Sequence, residues 1–452
     1  MQRQGYNGQE TVLTEQTVPG LHQIWQYAMN GPVLTQPLLA SGIPHDDGTG
    51  NTVLTDLVYV ADMTGLVAAF DAGGGGVLWA NQLPALPTSC ADFPGGTVGT
   101  IGTPTIDKAN NRMWVVAADG TLWALALDTG NPLPGYPLQV IDPGDANGVT
   151  INYGALTYDN GWLYVPTAGQ CDVAPYYGQL MKVKVGLTAA DVPVVSIRWY
   201  PTLAARAYGG GIWGFGGVSL EPDGSYLYAA TGNALTEPEN AGYAEHVVKL
   251  DTNLQPVAAN APALPAGDLD FGATPLLYQP PNCPPQMAVV NKSGDLFVYS
   301  RNSSAMTAGP TQRISITQTS DDGGFIGLPA FDPASNQLYL GNPQDDAAGI
   351  YSHGLLAFQV TGSCTLSLAW QQTIGFDNSQ VPYNPVIPPM VANGVVYYST
   401  GSASSIFAFD SGGNYLWDSG TQIVGGIFAP PTIINGMLLV ADYNGNLTAF
   451  GP

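Results

Sequence analysis

The sequence predicts an all-β fold: a single eight-bladed β-propeller of four-stranded antiparallel blades, closed into a ring by the N-terminal strand. Two observations predict it, a strand-rich repeat along the chain and an abundance of turn residues, with Gly 57 and Pro 37. Apolar residues still make up 45%, which excludes disorder and favours many short strands. Because each blade carries its own core, we expect one propeller domain over 1–452, with 1–20 as an N-terminal extension.

The repeat has its best-formed copy at Leu57–Trp79, which reads as a strand, a tight turn, a second strand and a third strand ending in tryptophan. Further copies begin at Arg112, Trp162, Tyr226, Met287, Gln337, Val395 and Met437. Their alternating β-branched and aromatic residues suit pleated strands. Asp119-Gly120 and Asn444-Gly445 are typical of two-residue hairpins. Eight copies therefore predict eight blades.

Ring closure follows from an incomplete last copy, which ends at Phe450 without its own tryptophan strand. Gln23–Tyr27 supplies a strand of that kind at the other end of the chain. We expect residues 21–30 to complete the last blade, because closure hides sheet edges. The tryptophans that end the third strands are predicted to pack between blades: Trp25, Trp79, Trp199, Trp370 and Trp417.

The net charge of the chain limits the classes of partner that it is expected to bind. The formal net charge is −23 with 11 Lys plus Arg, which disfavours nucleic acid and anionic membranes. No apolar run approaches the roughly 18 residues of a membrane span. Met1 is either a natural start or a replacement for a removed signal, and the composition favours the second and a secreted or periplasmic protein. The oligomeric state stays open.

The four cysteines lie far apart, without the close spacing of a zinc site. In an acidic, Gly-rich chain they indicate two disulfides and an oxidising compartment. The expected pairs, Cys90–Cys171 and Cys283–Cys364, would each link neighbouring blades. Four buried free thiols are the alternative.

The copies resemble the blade repeat of PQQ-dependent quinoproteins, over nearly the whole chain. GGGIWGFGG at Gly209–Gly217 is similar to the quinoprotein alcohol dehydrogenase segment whose tryptophan forms the floor under PQQ, which implies that role for Trp213. YAATGNA at Tyr228–Ala234 is similar to the segment whose asparagine ligates calcium, which implies that role for Asn233.

Two further segments carry the resemblance. AGDLDFGATP at Ala266–Pro275 is similar to the family's Asp-x-Asp segment, so Asp268 is implied as the catalytic base and Asp270 as a metal ligand of lanthanide-using members. VVNKSGDLFVYSR at Val289–Arg301 implies that Lys292 contacts the quinone oxygens. The implied cofactors are PQQ and Ca²⁺ or a lanthanide. Such a set is chemically coherent, because a quinone that accepts hydride needs a polarising cation and a base for the alcohol proton.

The sequence also departs from the family. Its third-blade region lacks the calcium-binding glutamate, and Asp172 is the candidate oxygen donor there. There is no adjacent cysteine pair and no CxxCH motif, so no haem is expected. Each implied residue also has a purely structural interpretation: core packing for Trp213, turn capping for Asn233, amide binding for the aspartates, and simple exposure for Lys292.

Three functions compete. The first is a secreted PQQ- and metal-dependent dehydrogenase of alcohols or sugars. The second is a non-catalytic propeller that binds a glycan or a surface protein, with Tyr176-Tyr177 as an exposed aromatic patch. The third, a polysaccharide lyase or hydrolase, is disfavoured by the scarcity of histidine. The four histidines show no metal spacing, and exposed loops at Asp321–Gly324 and Asp345-Asp346 are weaker calcium candidates.

Overall fold

The structure, a computed structural model, describes residues 5–46, 48–142, 149–265, 267–317, 327–378 and 386–452. Within these ranges the strands form an eight-bladed β-propeller of four-stranded antiparallel blades, which confirms the predicted fold class. The strands of blades 1 to 4, from the inner to the outer strand, are Leu38–Asp46, Thr52–Ala61, Leu66–Asp71 and Val77–Gln82; Thr105–Asp107, Arg112–Val116, Thr121–Ala126 and Leu138–Gln139; Thr157–Asp159, Trp162–Gly169, Gln179–Lys184 and Val194–Trp199; and Ser219–Leu220, Tyr226–Ala230, Val247–Asp251 and Pro256–Asn260.

Blades 5 to 8 follow the same order. Their strands are Leu276–Tyr278, Gln286–Val290, Asp295–Ser300 and Gln312–Ser315; Ala330–Asp332, Gln337–Asn342, Gly354–Val360 and Leu366–Gln372; Met390–Ala392, Val395–Tyr398, Phe407–Asp410 and Tyr415–Asp418; and Thr432–Ile434, Met437–Ala441, Asn446–Gly451 and His22–Ala28. The short additional strands are Tyr6–Asn7, Leu86–Pro87, Thr97–Val98 and Thr150–Ile151. Among the described residues, α1 (Ser303–Ala308) is the one α-helix, and the 3₁₀ turns are Val18–Gly20, Pro94–Gly96, Lys108–Asn110, Leu203–Ala205 and Gly420–Gln422.

The ring closes as predicted. His22–Ala28 pairs antiparallel with Asn446–Gly451 and becomes the outer strand of blade 8. The preceding segment adds a feature that the sequence did not suggest, because Tyr6–Asn7 pairs in parallel with Met390–Ala392, the inner strand of blade 7. The N-terminal extension therefore reaches the central channel.

The predicted packing of tryptophans between blades is confirmed, and it includes a hydrogen bond. The indole Nε1 of Trp25 donates to the carbonyl of Ala72 at 2.7 Å, and that of Trp79 donates to Leu127 at 2.9 Å. The indoles of Trp370 and Trp417 donate in the same way to Ser411 and Leu21. The aromatic body fills the apolar seam between blades while the N–H is satisfied by the neighbouring blade.

The antiparallel order sorts the loops onto two faces. Connections from the second to the third strand, and from each outer strand to the next inner strand, open on one face, which we call the upper face. Connections from the first to the second strand, and from the third to the fourth, open on the lower face.

Both predicted disulfides are present, each with a Cα–Cα distance of 5.6 Å, so the alternative of free thiols is wrong. Cys90 and Cys171 lie on upper-face loops, whereas Cys283 and Cys364 lie on lower-face loops. In the described part of the chain, no helix is both long and apolar enough to cross a bilayer.

Candidate active site

The five side chains singled out from the sequence all lie on upper-face connections of blades 4 and 5. Trp213 precedes the inner strand of blade 4, and Asn233 lies between its second and third strands. Asp268 and Asp270 precede the inner strand of blade 5, and Lys292 lies between its second and third strands. Trp213 and Lys292, which are 79 positions apart in the sequence, thus share one face because each blade repeats the same topology.

Lys292 is at the centre of the group. Its Nζ lies 2.9 Å from Asp268 Oδ1 and 3.1 Å from Asp270 Oδ2. The same ammonium lies 5.9 Å from the centre of the Trp213 ring. The backbone joins the two loops as well, since the N–H of Lys292 donates to the carbonyl of Asp270 at 3.0 Å. The structure therefore brings together a cation, two carboxylates and an aromatic face.

The two aspartates differ in their access to solvent. The side chain of Asp268 is 46% exposed, whereas that of Asp270 is 6% exposed. Asp270 is also fixed by a buried hydrogen bond, because the backbone N–H of Asn233 donates to its Oδ1. Asp268 can therefore meet a small molecule from solvent, while Asp270 is directed into the protein.

Gly232 allows the aromatic and acidic groups to approach each other. A Cβ at this position would lie 2.8 Å from Asp270 Oδ1 and 3.2 Å from Trp213 Nε1. Any larger residue would separate the two side chains. The glycine that precedes Asn233 is thus a requirement of the close packing around the site.

The oxygen atoms at this site suit a hard cation. Carboxylate oxygens of Asp172, Asp268 and Asp270 lie within 4.8 Å of one another. Asn233 is 7% exposed, and its Oδ1 is buried without a hydrogen-bond partner among the described residues. A buried orphan oxygen is costly unless it meets a ligand. Carboxylate and amide oxygens are the donors that Ca²⁺ prefers, so the residues present fit a calcium-type ion.

Two glutamates that sequence reasoning missed support the Asp268 loop. Glu239 accepts a hydrogen bond from the backbone N–H of Asp268, and Glu245 accepts one from Leu269 at 2.8 Å. Asp268 has a positive φ of 52°, which is uncommon for a residue with a side chain. The glutamates satisfy the amides of this turn and line an acidic cavity of about 500 Å³ beside it. No local sequence motif indicates this role, because the two glutamates belong to blade 4 whereas the Asp268 loop leads into blade 5.

The pKa values follow from several acids sharing one lysine. Burial lowers the pKa of Lys292, but Asp270 and Asp268 more than offset this and raise it. Burial and Asp270 raise the pKa of Asp268 despite the nearby ammonium. Burial likewise raises the pKa of Glu245 to about 7. The lysine stays charged, while the surplus of carboxylates attracts either protons or a cation.

Several sequence expectations are corrected. Tyr176 is not part of an exposed patch: it is 3% exposed, and its hydroxyl donates to Asp172 Oδ1 at 2.6 Å. Tyr177 is half-buried and packs on Tyr208, with ring centres 4.9 Å apart. The prediction was wrong because residues of a loop next to a site can turn inward.

One histidine contacts an aspartate, although the spacing of the four histidines along the chain gave no sign of such a group. His353 Nδ1 lies 2.8 Å from Asp345 Oδ1, and an Asp377 oxygen is in the same group within 4.8 Å. Spacing along the chain does not reveal the whole group, because Asp377 lies on a different loop from Asp345 and His353. The weaker calcium candidate at Asp321–Gly324 lies outside the described residues.

Comparison with known proteins agrees with the fold. A family model described as outer membrane protein assembly factor BamB matches residues 22–133. A polyvinylalcohol dehydrogenase from a Pseudomonas species is 26% identical over 279 residues, covering 54% of this chain and 42% of that protein. The resemblance to PQQ-type propellers is confirmed. The chain spans less than half the length of this curated relative.

Solved structures give the same picture. The quinohemoprotein alcohol dehydrogenase of Comamonas testosteroni superposes with a TM-score of 0.70 at 16% identity, over 99% of this chain and 78% of that one. A europium-containing methanol dehydrogenase also gives a TM-score of 0.70, at 14% identity, over 99% of this chain and 96% of that one. At these identities the likeness establishes the shared propeller fold.

Proposed function

We propose that this chain is a secreted or periplasmic dehydrogenase that uses PQQ and a metal ion to oxidise alcohols or sugars. The observation that carries the proposal is the convergence of Lys292 on Asp268, Asp270 and Trp213. Further support comes from the relatives, which include a polyvinylalcohol dehydrogenase and two structurally similar alcohol or methanol dehydrogenases. The proposal includes no haem.

In this proposal each residue has a distinct task. Trp213 supports one face of the flat cofactor, and Lys292 lies where its ammonium can donate to ring oxygens. Asp172, Asp270 and the orphan Oδ1 of Asn233 would hold the cation. Bound PQQ with its metal supplies a polarised quinone that accepts hydride. The half-exposed Asp268 accepts the proton of the substrate hydroxyl.

The charge of the site supports a metal rather than PQQ alone. Asp172, Asp268 and Asp270 outnumber Lys292, which is the basic side chain paired with them in the described part of the chain. PQQ is itself a polycarboxylate, so its binding adds negative charge to a partly desolvated acidic site. A divalent or trivalent cation lowers this cost, and binding is therefore expected to require it.

The direct test is a titration of the chelator-treated protein with PQQ, followed by tryptophan quenching, in the presence or absence of Ca²⁺ or La³⁺. We expect saturable quenching only with metal. Asp270→Asn should lose it, whereas Asp223→Asn, on a lower-face turn, should behave as the unaltered protein. A dye-linked screen of alcohols and sugars then identifies the substrate.

The second candidate is a non-catalytic propeller that binds a glycan or a surface protein. It is favoured by the match of residues 22–133 to a family described as an assembly factor. Absence of PQQ binding with either metal would contradict the dehydrogenase proposal and favour this candidate.

A further inference from the structure

One disulfide lies directly beside the proposed metal ligands. Asp172 follows Cys171 in the loop between the second and third strands of blade 3. Cys171 is bonded to Cys90, which lies on the connection between blades 1 and 2. Cys90 is 9% exposed and packs in the apolar cluster that also contains Phe93 and contacts Trp213. The cross-link therefore anchors the exposed end of one loop in the core beneath the site.

Apart from the disulfide, the loop that carries Asp172 is held by the buried Tyr176 and by a hydrogen bond from the backbone N–H of Val173 to the carbonyl of Gln170. Residues 171–175 are all exposed. The carboxylate of Asp172 has one hydrogen-bond donor among the described residues, the Tyr176 hydroxyl. Cys171 and Asp172 have φ values of 47° and 48°, so two consecutive residues with side chains adopt the left-handed conformation. Such backbone persists only where the surroundings impose it.

Electrostatics oppose the observed position of Asp172. Its carboxylate lies within 4.8 Å of carboxylate oxygens of Asp268 and Asp270. The ammonium of Lys292 is already bonded to the latter two. Like charges at this separation repel, and a surface loop would relieve the repulsion by moving outward. Something must hold Asp172 close before a cation arrives.

The two cross-linked loops also meet at two polar contacts. Cys171 Sγ lies 3.7 Å from Asp92 Oδ2. The Thr88 hydroxyl donates to Gln170 Oε1 at 2.6 Å, and the backbone N–H of Cys90 donates to the Thr88 hydroxyl at 3.0 Å. This contact orients the loop bases, but it precedes the left-handed pair. The disulfide is the covalent connection that reaches the residue next to Asp172.

We propose that the Cys90–Cys171 disulfide is a positioning device, which holds the Asp172 carboxylate in the metal-ligand set and so sets the affinity for the cation. The inference rests on the metal site of the proposed function. It assigns a role to a bond between distant residues, in a chain that lacks a glutamate at the corresponding loop. When the disulfide holds this acidic ligand in place, the free-energy cost of its repulsion by the other carboxylates is met during folding and no longer opposes metal binding.

The chain provides a matched control. The Cys283–Cys364 disulfide has the same sequence separation of 81 and the same Cα–Cα distance of 5.6 Å. In the chain-entropy account, cross-links that close equal loops constrain the unfolded chain equally. Cys283 and Cys364 lie on the lower face, away from the carboxylates. Removal of either disulfide should therefore affect general stability alike and differ only at the site.

The experiment measures Tb³⁺ affinity by tryptophan-sensitised emission, with Ca²⁺ competition. In the double variant Cys90→Ser/Cys171→Ser we expect affinity to fall about tenfold or more, the scale of lost support around a ligand. In Cys283→Ser/Cys364→Ser it should stay within about twofold. Adding Cys90→Ser/Cys171→Ser to Asp172→Asn should cause no further loss, because both changes remove the same ligand. Equal affinities in the two double variants, or additive losses with Asp172→Asn, would overturn the inference.

Two outcomes separate the inference from the proposed function. If the unaltered protein fails to bind Tb³⁺ and Ca²⁺, the metal site itself is refuted. If it binds and the Cys90→Ser/Cys171→Ser variant binds equally well, only the positioning role is refuted. If that variant fails to fold, the folded Cys283→Ser/Cys364→Ser protein can be reduced with a phosphine instead. Cys90–Cys171 is the one disulfide that this protein retains, so its reduction is the change that is measured. Loss of bound Tb³⁺ supports the inference, and its retention contradicts it.

Discussion

The two ends of the central channel are built from the same repeat yet differ sharply in chemistry. At the upper end, Lys292 and the aspartates gather above Trp213. Towards the lower end, a cavity of about 620 Å³ is lined mainly by apolar groups such as Phe215 and Leu328, and is bordered by the N-terminal segment 5–9. The same blade scaffold therefore supports different chemistry at its two ends, and the residues of the loops determine which chemistry each end has.

The two ends lie close together along the chain. Trp213 and Phe215 are separated by one residue, yet Trp213 borders the charged group and Phe215 lines the apolar cavity. Substitutions at these positions should therefore separate effects on cofactor binding from effects on stability.

The largest effect is expected from Asp268→Asn. The variant retains the size of the side chain but cannot accept the substrate proton, so dye-linked activity of the PQQ- and Ca²⁺-loaded enzyme should fall about 10²- to 10⁴-fold. PQQ affinity should change much less. Asp223→Asn serves as the control, and activity above a tenth of that of the unaltered enzyme would exclude Asp268 as the base.

Phe215→Ala should mainly reduce stability. Phe215 is 5% exposed and packs edge-on against Phe428, with ring centres 5.0 Å apart. Truncation of such a ring costs about 3–5 kcal/mol, which denaturant unfolding measures. PQQ binding should persist in the folded protein. Loss of binding without loss of stability would contradict the division between the two ends.

Trp213→Ala should show the opposite behaviour. Loss of the aromatic face should weaken PQQ binding by about tenfold, since stacking contributes on the order of 1 kcal/mol beyond buried area. Because Trp213 is only half-buried, the free energy of unfolding should fall less than in Phe215→Ala. Equilibrium dialysis of PQQ measures the affinity without relying on the removed fluorophore. Unchanged affinity would leave Trp213 as core packing.

The smallest effect concerns pH. Burial raises the pKa of Glu245 to about 7, so folding favours its protonated form and stability falls as pH rises through that value. In the metal-free protein, Glu245→Gln should raise Tm by a few degrees at pH 8 and leave it unchanged at pH 5. Glu221→Gln, which breaks the 2.7 Å pair with Arg301, should instead lower Tm. No pH-dependent difference for Glu245→Gln would contradict the assigned pKa.

The sequence predicted most of the fold because the signals are local and repeated. Hairpins and alternating strands recur in all eight blades, and the tryptophan exemplified by Trp79 recurs in five of them, so an error in one blade hardly matters. The strand at Tyr6–Asn7 escaped prediction because two residues carry no periodicity, and its pairing with Met390–Ala392 depends on the closed ring.

The site was only partly predictable. Resemblance pointed to Trp213 and Lys292, whose surrounding motifs are contiguous in sequence. Glu239 and Glu245 were missed because their role is to accept hydrogen bonds from backbone N–H groups of the loop that leads into the next blade. That role is a property of the tertiary structure and leaves no pattern in the chain.

The closing strand has a consequence for how the protein is made. His22–Ala28 is synthesised before blades 1 to 7, yet its partner Asn446–Gly451 comes after all of them. Trp417 likewise hydrogen-bonds Leu21 across 396 residues. Throughout synthesis the early strand has an unsatisfied edge, the condition under which chains aggregate or pair wrongly. The ring can close only after Asn446–Gly451 has emerged from the ribosome, so all eight blades must be synthesised before the fold is complete.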